Sequence, residues 1–415
     1  MGTDGKDLRR SIARNARLLT AAQALSIIPS QVSSLIGSLV VLKLTGNPAL
    51  AGLVIAVTFA GRVGVPFFSG WLMDKKGRRL VLMVGAVIIS SSYLALALNQ
   101  TSPQVAPFFI LFLIYGVGNA IVSQIRIAMT DMYDVSKAGG AIAYLYTASI
   151  IGSIATIPIV VLVELSAPAA GLDSFTLLWL AGAVSMIPAM LAIALVKPDP
   201  SRIAKIMSRG LGETKGPAGN LELSRLTAPF SASSISWGIM VAMMSLLSLD
   251  MNGEGFPLFL IQATITIHVV GMYLPSYPLG RITDSRGPKA LMVIGPLITG
   301  FGGFLTPLTP NYYLITFGMF LVGVGWCAST ISSTASIVAA TDPSVRGRVF
   351  GLNDVANNVA SMALPLAGGA VIGAYGFLGL GVFAFVLSIP ASLVSFVRTP
   401  RPRLVYVGGE LSEKT

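Results

Sequence analysis

Gly70-Trp71-Leu72-Met73-Asp74-Lys75-Lys76-Gly77-Arg78-Arg79 is a basic, glycine-bounded loop set between two apolar runs, Ala49–Leu72 and Leu80–Leu98. Its outline returns 210 residues later as Gly280-Arg281-Ile282-Thr283-Asp284-Ser285-Arg286-Gly287-Pro288-Lys289. The same offset pairs Gly61 with Gly271, Gly70 with Gly280, Asp74 with Asp284, Gly77 with Gly287 and Gly85 with Gly295. A helix–loop–helix element carried by both halves of a chain implies duplicated architecture. Membrane proteins built that way hold their solute near the bilayer midplane, between the halves. Glycines at 70 and 77 suit a tight turn and close helix contact. Asp74 is placed to pair with a nearby base or to cap a helix N-terminus.

Outward from the loop, the rest of the chain is apolar. Of its 415 residues 54% are hydrophobic and 11% charged, with a mean hydropathy of +0.78. Soluble domains carry roughly 25% charged residues, so this chain cannot cover a water-facing surface. A bilayer-crossing helix needs about 20 mostly apolar residues. Twelve such segments are expected: Leu18–Leu42, Ala49–Leu72, Leu80–Leu98, Val105–Ile127, Gly140–Val163, Phe175–Val196, Thr227–Leu249, Phe256–Leu279, Ala290–Leu308, Tyr312–Ala339, Val349–Ile372 and Leu378–Val397. The fold class is therefore all-α and polytopic, with two six-helix bundles at 18–196 and 227–397. An N-tail (1–17), a Pro- and Gly-rich linker (197–226) and a C-tail (398–415) complete the chain.

The net charge of +11 would suggest nucleic acid in a soluble protein. Here its placement argues for topology and against a nucleic-acid partner. Of 28 Lys and Arg residues, all but Lys43, Arg62 and Arg126 fall in the tails, the linker and the loops after even-numbered spans. Basic loops stay cytoplasmic, so both termini and the linker are expected inside a cell membrane, in a prokaryotic cell. The polar N-terminus lacks the apolar core of a signal peptide. One cysteine, Cys327, excludes an internal disulfide framework and Cys-based metal sites, and one histidine, His268, excludes multi-His zinc sites. No GxxxxGK[ST] loop is present for ATP, nor an HExxH or paired-carboxylate motif. No cofactor, no metal and no enzymatic activity are expected.

The loop at 70–79 resembles the signature G-x-L-x-D-[RK]-x-G-R-[RK] of the major facilitator superfamily, in its place after span 2, and 280–289 resembles the weaker second copy. Val345-Arg346-Gly347-Arg348-Val349-Phe350-Gly351 resembles the R-G-R-x-x-G loop before span 11. The resemblance covers the whole chain. It implies a secondary transporter working by alternating access, with spans 3, 6, 9 and 12 facing lipid. It also implies a conformational latch built from Gly70, Asp74, Gly77, Arg78, Arg79, Gly280, Asp284, Gly287, Arg346 and Arg348. Two departures from the family's proton-linked drug antiporters stand out. Phe112 occupies the Arg position of their span-4 R-x-x-Q-G-x-G motif, and span 5 has Gly152 and Pro158 without a Gly-Pro pair. The P-E-S-P-R element of sugar porters is absent too.

A charge at membrane depth costs at least about 2.5–3.5 kcal/mol, so polar groups there mark candidate sites. Arg62 lies mid-span 2, and no acidic residue falls mid-membrane in the N-terminal half; an anionic substrate would suit it. Asn119, Ser123, Arg126 and Thr130 are spaced as one helical face, with Asp131 or Asp134 as alternative partners for Arg126. Gln23, Ser26, Ser30, Gln31 and Ser34 mark span 1, and Asp354, Asn357, Asn358 and Ser361 mark span 11. Trp237, Met240 and Met244 on span 7 offer an adaptable wall. His268, mid-span 8, either bonds across helices or exchanges protons near neutral pH, as an unperturbed pKa of about 6.5 allows. The expected function is transport of a small solute, an organic or inorganic anion, with a proton or other ion as coupling partner and a monomer as the working unit. An amphipathic drug efflux protein is the alternative, and a non-transporting solute sensor is the rival from another class.

Overall fold

The computed structural model describes residues 3–133, 135–208, 223–341, 343–398, 403–407 and 410–414. Asp134 and the linker stretch 209–222, with Arg209 and Lys215, lie outside the described residues, as does the side chain of Arg346. Fifteen helices follow in chain order: α1 Thr3–Thr45, α2 Ala51–Arg62, α3 Val65–Lys76, α4 Arg78–Thr101, α5 Val105–Val122, α6 Ile125–Thr130, α7 Val135–Ala170, α8 Ser174–Ala194, α9 Pro200–Ser208, α10 Leu223–Gly253, α11 Leu258–Tyr273, α12 Ser276–Arg286, α13 Lys289–Leu305, α14 Tyr312–Ala340 and α15 Pro343–Arg398. A short antiparallel hairpin, β1 Arg403–Val407 with β2 Glu410–Lys414, follows α15.

Among the described residues ten helical segments are long and apolar enough to cross a membrane, the last of them (Arg348–Arg398) covering two expected spans. Lys289–Leu305 is a shorter apolar helix at span 9, and together they match the twelve expected crossings, three of them as broken helices. Span 2 is α2 plus α3, span 4 is α5 plus α6, and span 8 is α11 plus α12. The last two crossings form the single segment α15, interrupted at Gly376, whose φ is 67°. The breaks have chemical causes. In span 2, Gly64 takes φ 75° and Pro66 follows within the first turn of α3. In span 8, Pro275 precedes α12. Proline removes a backbone donor and crowds the preceding turn, so both helices stop at the same place in the repeat. Span 4 breaks differently: Gln124 N bonds Ile121 O at 3.1 Å, three residues back, and the helix tightens. The expected stripe Asn119–Ser123–Arg126–Thr130 is therefore not one continuous helical face. The helix of span 1 also begins earlier than expected, running through the basic N-tail from Thr3.

Two compact units divide the chain. The first holds Met1–Glu213 with Met251–Thr266, and the second holds Thr214–Asp250 with Ile267–Thr415. Within the first, α5 packs on α2 and α4, and α1 on α7 and α8. Within the second, α13 packs on α14 and α15. Large apolar side chains are left exposed on α4 (Leu94, Leu98), α8 (Ile187, Leu191) and α13 (Ile294, Phe301), as on other crossings such as α5 (Ile110) and α7 (Leu162, Leu165).

The repeated glycines now divide into three kinds. A Cβ on Gly61 would lie 2.2 Å from Leu113 O, and one on Gly271 would lie 2.5 Å from Phe320 O. Gly85 and Gly295 similarly meet Ile121 at 2.6 Å and Ser329 at 2.4 Å. These are points where helices touch backbone to neighbour, the packing that small residues permit in membranes. Gly77 and Gly287 instead hold φ 89° and 76°, a region costly for any residue with a Cβ. Gly70 and Gly280 have nothing within 4 Å, so the close contact expected at Gly70 is not made.

The crossing of α2 and α5 is reciprocal, because a Cβ on Gly116 would in turn lie 2.1 Å from Thr58 O on α2. Gly116→Val is expected to cost about 1–3 kcal/mol or more by overpacking, whereas Gly70→Ala leaves stability unchanged. Thermal unfolding of the purified variants in detergent measures both.

Candidate functional site

In the first unit, a cluster of polar side chains joins α1 and α5. Asn119 Nδ2 donates to Ser30 Oγ at 3.1 Å and to Tyr115 Oη at 3.3 Å, and Tyr115 Oη donates to Ser30 Oγ at 3.2 Å. Arg62 sits midway along the Pro48–Lys76 span, near enough for its charge to act on the Tyr115 hydroxyl. It is the last residue of α2, and the negative end of a helix dipole favours a cation there. Its guanidinium also lies 4.8 Å from the centre of the Phe59 ring. The break in span 2 thus supplies a reason for a charge at membrane depth. Below these groups, Phe112, at the position where drug antiporters carry Arg, is buried between Tyr115 and Trp179.

A second buried chain of hydrogen bonds joins α1, α7 and the first half of α11. Gln31 Nε2 donates to Ser153 Oγ. Ser153 Oγ donates to Thr266 Oγ1 at 3.1 Å, and Gln262 Nε2 reaches the same Thr266 oxygen at 3.3 Å. At the start of α11, the carboxylate of Glu164 accepts the N–H of Leu258 at 3.0 Å, satisfying one of the donors that a helix start leaves open.

The signature loop is wired more densely than its sequence suggests. Arg78 Nη1 donates to Asp74 at 2.7 Å, and its Nε donates to Asp131 at 2.7 Å. Asp131, expected for Arg126, is thus engaged by Arg78; Arg126 itself is exposed on α6. Helix capping, expected of Asp74, is performed by Asp199. Its carboxylate accepts the N–H of Arg78 at 3.2 Å and of Arg79 at 3.0 Å at the start of α4, and the N–H and hydroxyl of Ser201 at 2.9 and 2.7 Å at the start of α9. Gly77 leaves room for it: a Cβ there would lie 2.8 Å from Asp199 Oδ2. Asn15, fully buried, holds the same segment from α1 by accepting Lys197 N at 3.1 Å and donating to Pro198 O at 2.9 Å. Asp199 is missing from the sequence expectation, although Asp-Pro-Ser at a helix start is an N-cap signal. Its second role, on α4, comes only from the fold. In the second copy of the loop Asp284 is exposed, and Arg348 is exposed near the start of α15.

In the second unit, His268 is fully buried on α11, with Nδ1 2.8 Å from Met319 O on α14. A carbonyl only accepts, so Nδ1 carries the hydrogen. His268 Nε2 meets no partner among the described residues. On α15, Asn357 Oδ1 accepts from Ser233 at 3.2 Å and Ser234 at 3.0 Å, and Asn353 Oδ1 accepts from Ser233 at 2.9 Å. Asn353, not among the candidates expected from the sequence, lies one turn before Asn357 on the face toward α10. Asp354 and Asn358 are half-buried on the adjoining flank. Trp237 is half-buried and stands edge-on to Trp326, ring centres 5.0 Å apart.

Known proteins resemble the chain over most of its length. The model of the Major Facilitator Superfamily matches residues 19–259 and 230–412. The uncharacterized MFS-type transporter YdeG of Bacillus subtilis (strain 168) is 26% identical over 364 residues, covering 85% of this chain and 84% of that one. The riboflavin transporter RfnT of Brucella anthropi is 25% identical over 354 residues, covering 85% and 86%. Among solved structures, the nucleoside transporter NupG superposes with a TM-score of 0.71 at 16% identity, over 92% of this chain and 98% of that one, a likeness of fold.

The Asp199 cap makes a pH-dependent contribution. Burial alone would raise its carboxyl pKa. The N–H of Arg79, the hydroxyl and N–H of Ser201 and the N–H of Arg78 outweigh that and hold it below the usual carboxylate range. A depressed folded-state pKa stabilises the protein at pH values above the unfolded value, near 4, and the benefit fades as pH falls through the lower folded value. Asp199→Ala, which removes the acceptor from both helix starts, is expected to cost about 0.5–2 kcal/mol at pH 7. In thermal melts, the gap between wild type and variant should narrow in acid.

Proposed function

The chain belongs to the Major Facilitator Superfamily, and on that premise we propose that it is a monomeric secondary transporter that moves a small organic anion by alternating access. The reading places both termini in the cytoplasm of a bacterial cell, following the basic loops and the bacterial relatives. The observation that carries it is Arg62. A guanidinium held midway through a span, its charge acting on the Tyr115 hydroxyl that itself bonds Ser30 and Asn119, supplies a cation and directional donors for a carboxylate or phosphate-like group. An organic solute is favoured over an inorganic one by the riboflavin named for the Brucella relative. The paired indoles of Trp237 and Trp326 support the drug-efflux alternative.

In this reading His268 is the proton site. With Nδ1–H given to Met319 O, Nε2 is the atom that takes a proton when its surroundings open to water. The clasp of Arg78, Asp74, Asp131 and Asp199 serves as the latch. Breaking and reforming it changes the relative free energy of two conformations, and a bound solute shifts that balance by its difference in affinity for the two.

Two substitutions test the reading. Arg62→Gln is expected to weaken uptake of organic anions into proteoliposomes about tenfold or more, while neutral solutes of like size are unaffected; equal loss for both assigns Arg62 a structural role. His268→Gln is expected to abolish the pH dependence of uptake and leave equilibrium binding within a few-fold of wild type. A retained pH dependence removes the proton role.

A further inference from the structure

The second unit carries an aromatic cluster joined to unsatisfied donors. Trp326 on α14 lies edge-on to Trp237 at 5.0 Å and to Tyr273, at the end of α11, at 6.0 Å. It is 6% exposed, and among the described residues its Nε1–H meets no acceptor. Thr330 and Ser333 stand four and seven residues further along α14, on the same helical face, and their buried hydroxyl oxygens also lack a partner among the described residues. A buried donor without an acceptor costs about 1–3 kcal/mol. Three such groups on one stripe of one helix therefore call for an explanation. At 1.5 Å rise per residue, Trp326 and Ser333 are about 10 Å apart along the axis, the length of a fused two- or three-ring system.

Another buried indole gives the contrast. Trp179 Nε1 in the first unit also lacks a partner among the described residues, but that indole is 0% exposed and closed in by the rings of Tyr93 and Phe112 at 5.3 and 5.7 Å. Trp326 instead borders Trp237, which is half-buried.

We infer that the face of α14 from Trp326 to Ser333, walled by Trp237 and Tyr273, is a binding site for a planar fused-ring heteroaromatic compound. The indole N–H of Trp326 is donor-only and takes a ring nitrogen or ring carbonyl. The hydroxyls of Thr330 and Ser333 bond further ring heteroatoms along the same edge. The indole of Trp237 packs against the ring edge or face, the geometry aromatic pairs prefer. The inference rests on the transporter reading for its context and deepens it by naming the ring class of the solute.

The test uses the full chain in lipid nanodiscs and equilibrium binding of riboflavin, inosine and D-xylose. One or both ring compounds are expected to bind wild type, and D-xylose is not expected to compete with them. Trp326→Phe keeps the aromatic packing and deletes the N–H, and should weaken ring binding about tenfold or more. Thr330→Val should weaken it several-fold and also serves if Trp326→Phe fails to fold. Trp179→Phe should leave binding unchanged. Failure of both ring compounds to bind wild type overturns the inference, as does undiminished binding by folded Trp326→Phe and Thr330→Val. The two readings fail separately. Anion flux in proteoliposomes without ring binding removes this site and keeps the transporter, whereas ring binding without flux of any solute keeps the site and removes transport.

Discussion

Hydrocarbon offers a backbone no hydrogen-bond partner, and most of this chain's architecture follows from that. Each N–H and C=O at membrane depth must be satisfied by the chain itself, so the crossings are helices and their interruptions fall where protein can supply the missing bonds. Spans 2 and 8 are interrupted at equivalent places, after Arg62 and after Tyr273. Arg62 acts by its charge on the polar cluster of the first unit, and Tyr273 belongs to the aromatic cluster of the second. A break exposes helix-end carbonyls, and it is at such an end that a guanidinium can be kept.

The same shortage of solvent explains the small and hydroxylated residues. Threonines and serines return their hydroxyl hydrogen to the preceding turn, as Thr58 does to Val54 O at 2.8 Å and Thr156 to Gly152 O at 2.9 Å, so they occupy helix interiors without stranding a donor. Between helices, apolar area provides little driving force because lipid is equally apolar. Close contact provides it instead, and Gly61, Gly116, Gly271 and Gly323 each place one helix within touching distance of another's backbone.

Outside the hydrocarbon the governing force changes to charge. Arg78 divides its guanidinium between exposed Asp74 and largely buried Asp131; the sheltered pair is the stronger, since water screens the other. Asp199 adds a carboxylate shared by two helix starts. Because Asn15 grips the same segment, the end of the first unit is tied to its beginning through a few polar contacts.

Much of this was legible in the residues alone. Twelve crossings, the repeat and the basic bias of the loops depend on composition and spacing, properties of a chain that lies in a bilayer whatever its partners. Phe112 in place of an arginine was also visible, and with it the departure from a known antiporter pattern. What the sequence left open was which polar groups meet. Asn119 and Ser30 are 89 residues apart and His268 and Met319 are 51 apart; no local pattern encodes such pairs, because the approach of two helices sets them. The face proposed for Asn119 and Arg126 failed for the same reason: a three-residue tightening at Gln124 rotates everything after it. Asp199 read as linker, since its ligands on α4 come from a turn some 120 residues away. Hydrophobic spacing determines which segments enter the membrane, whereas the crossing of helices, fixed by where glycines let backbones touch, decides which side chains share a site.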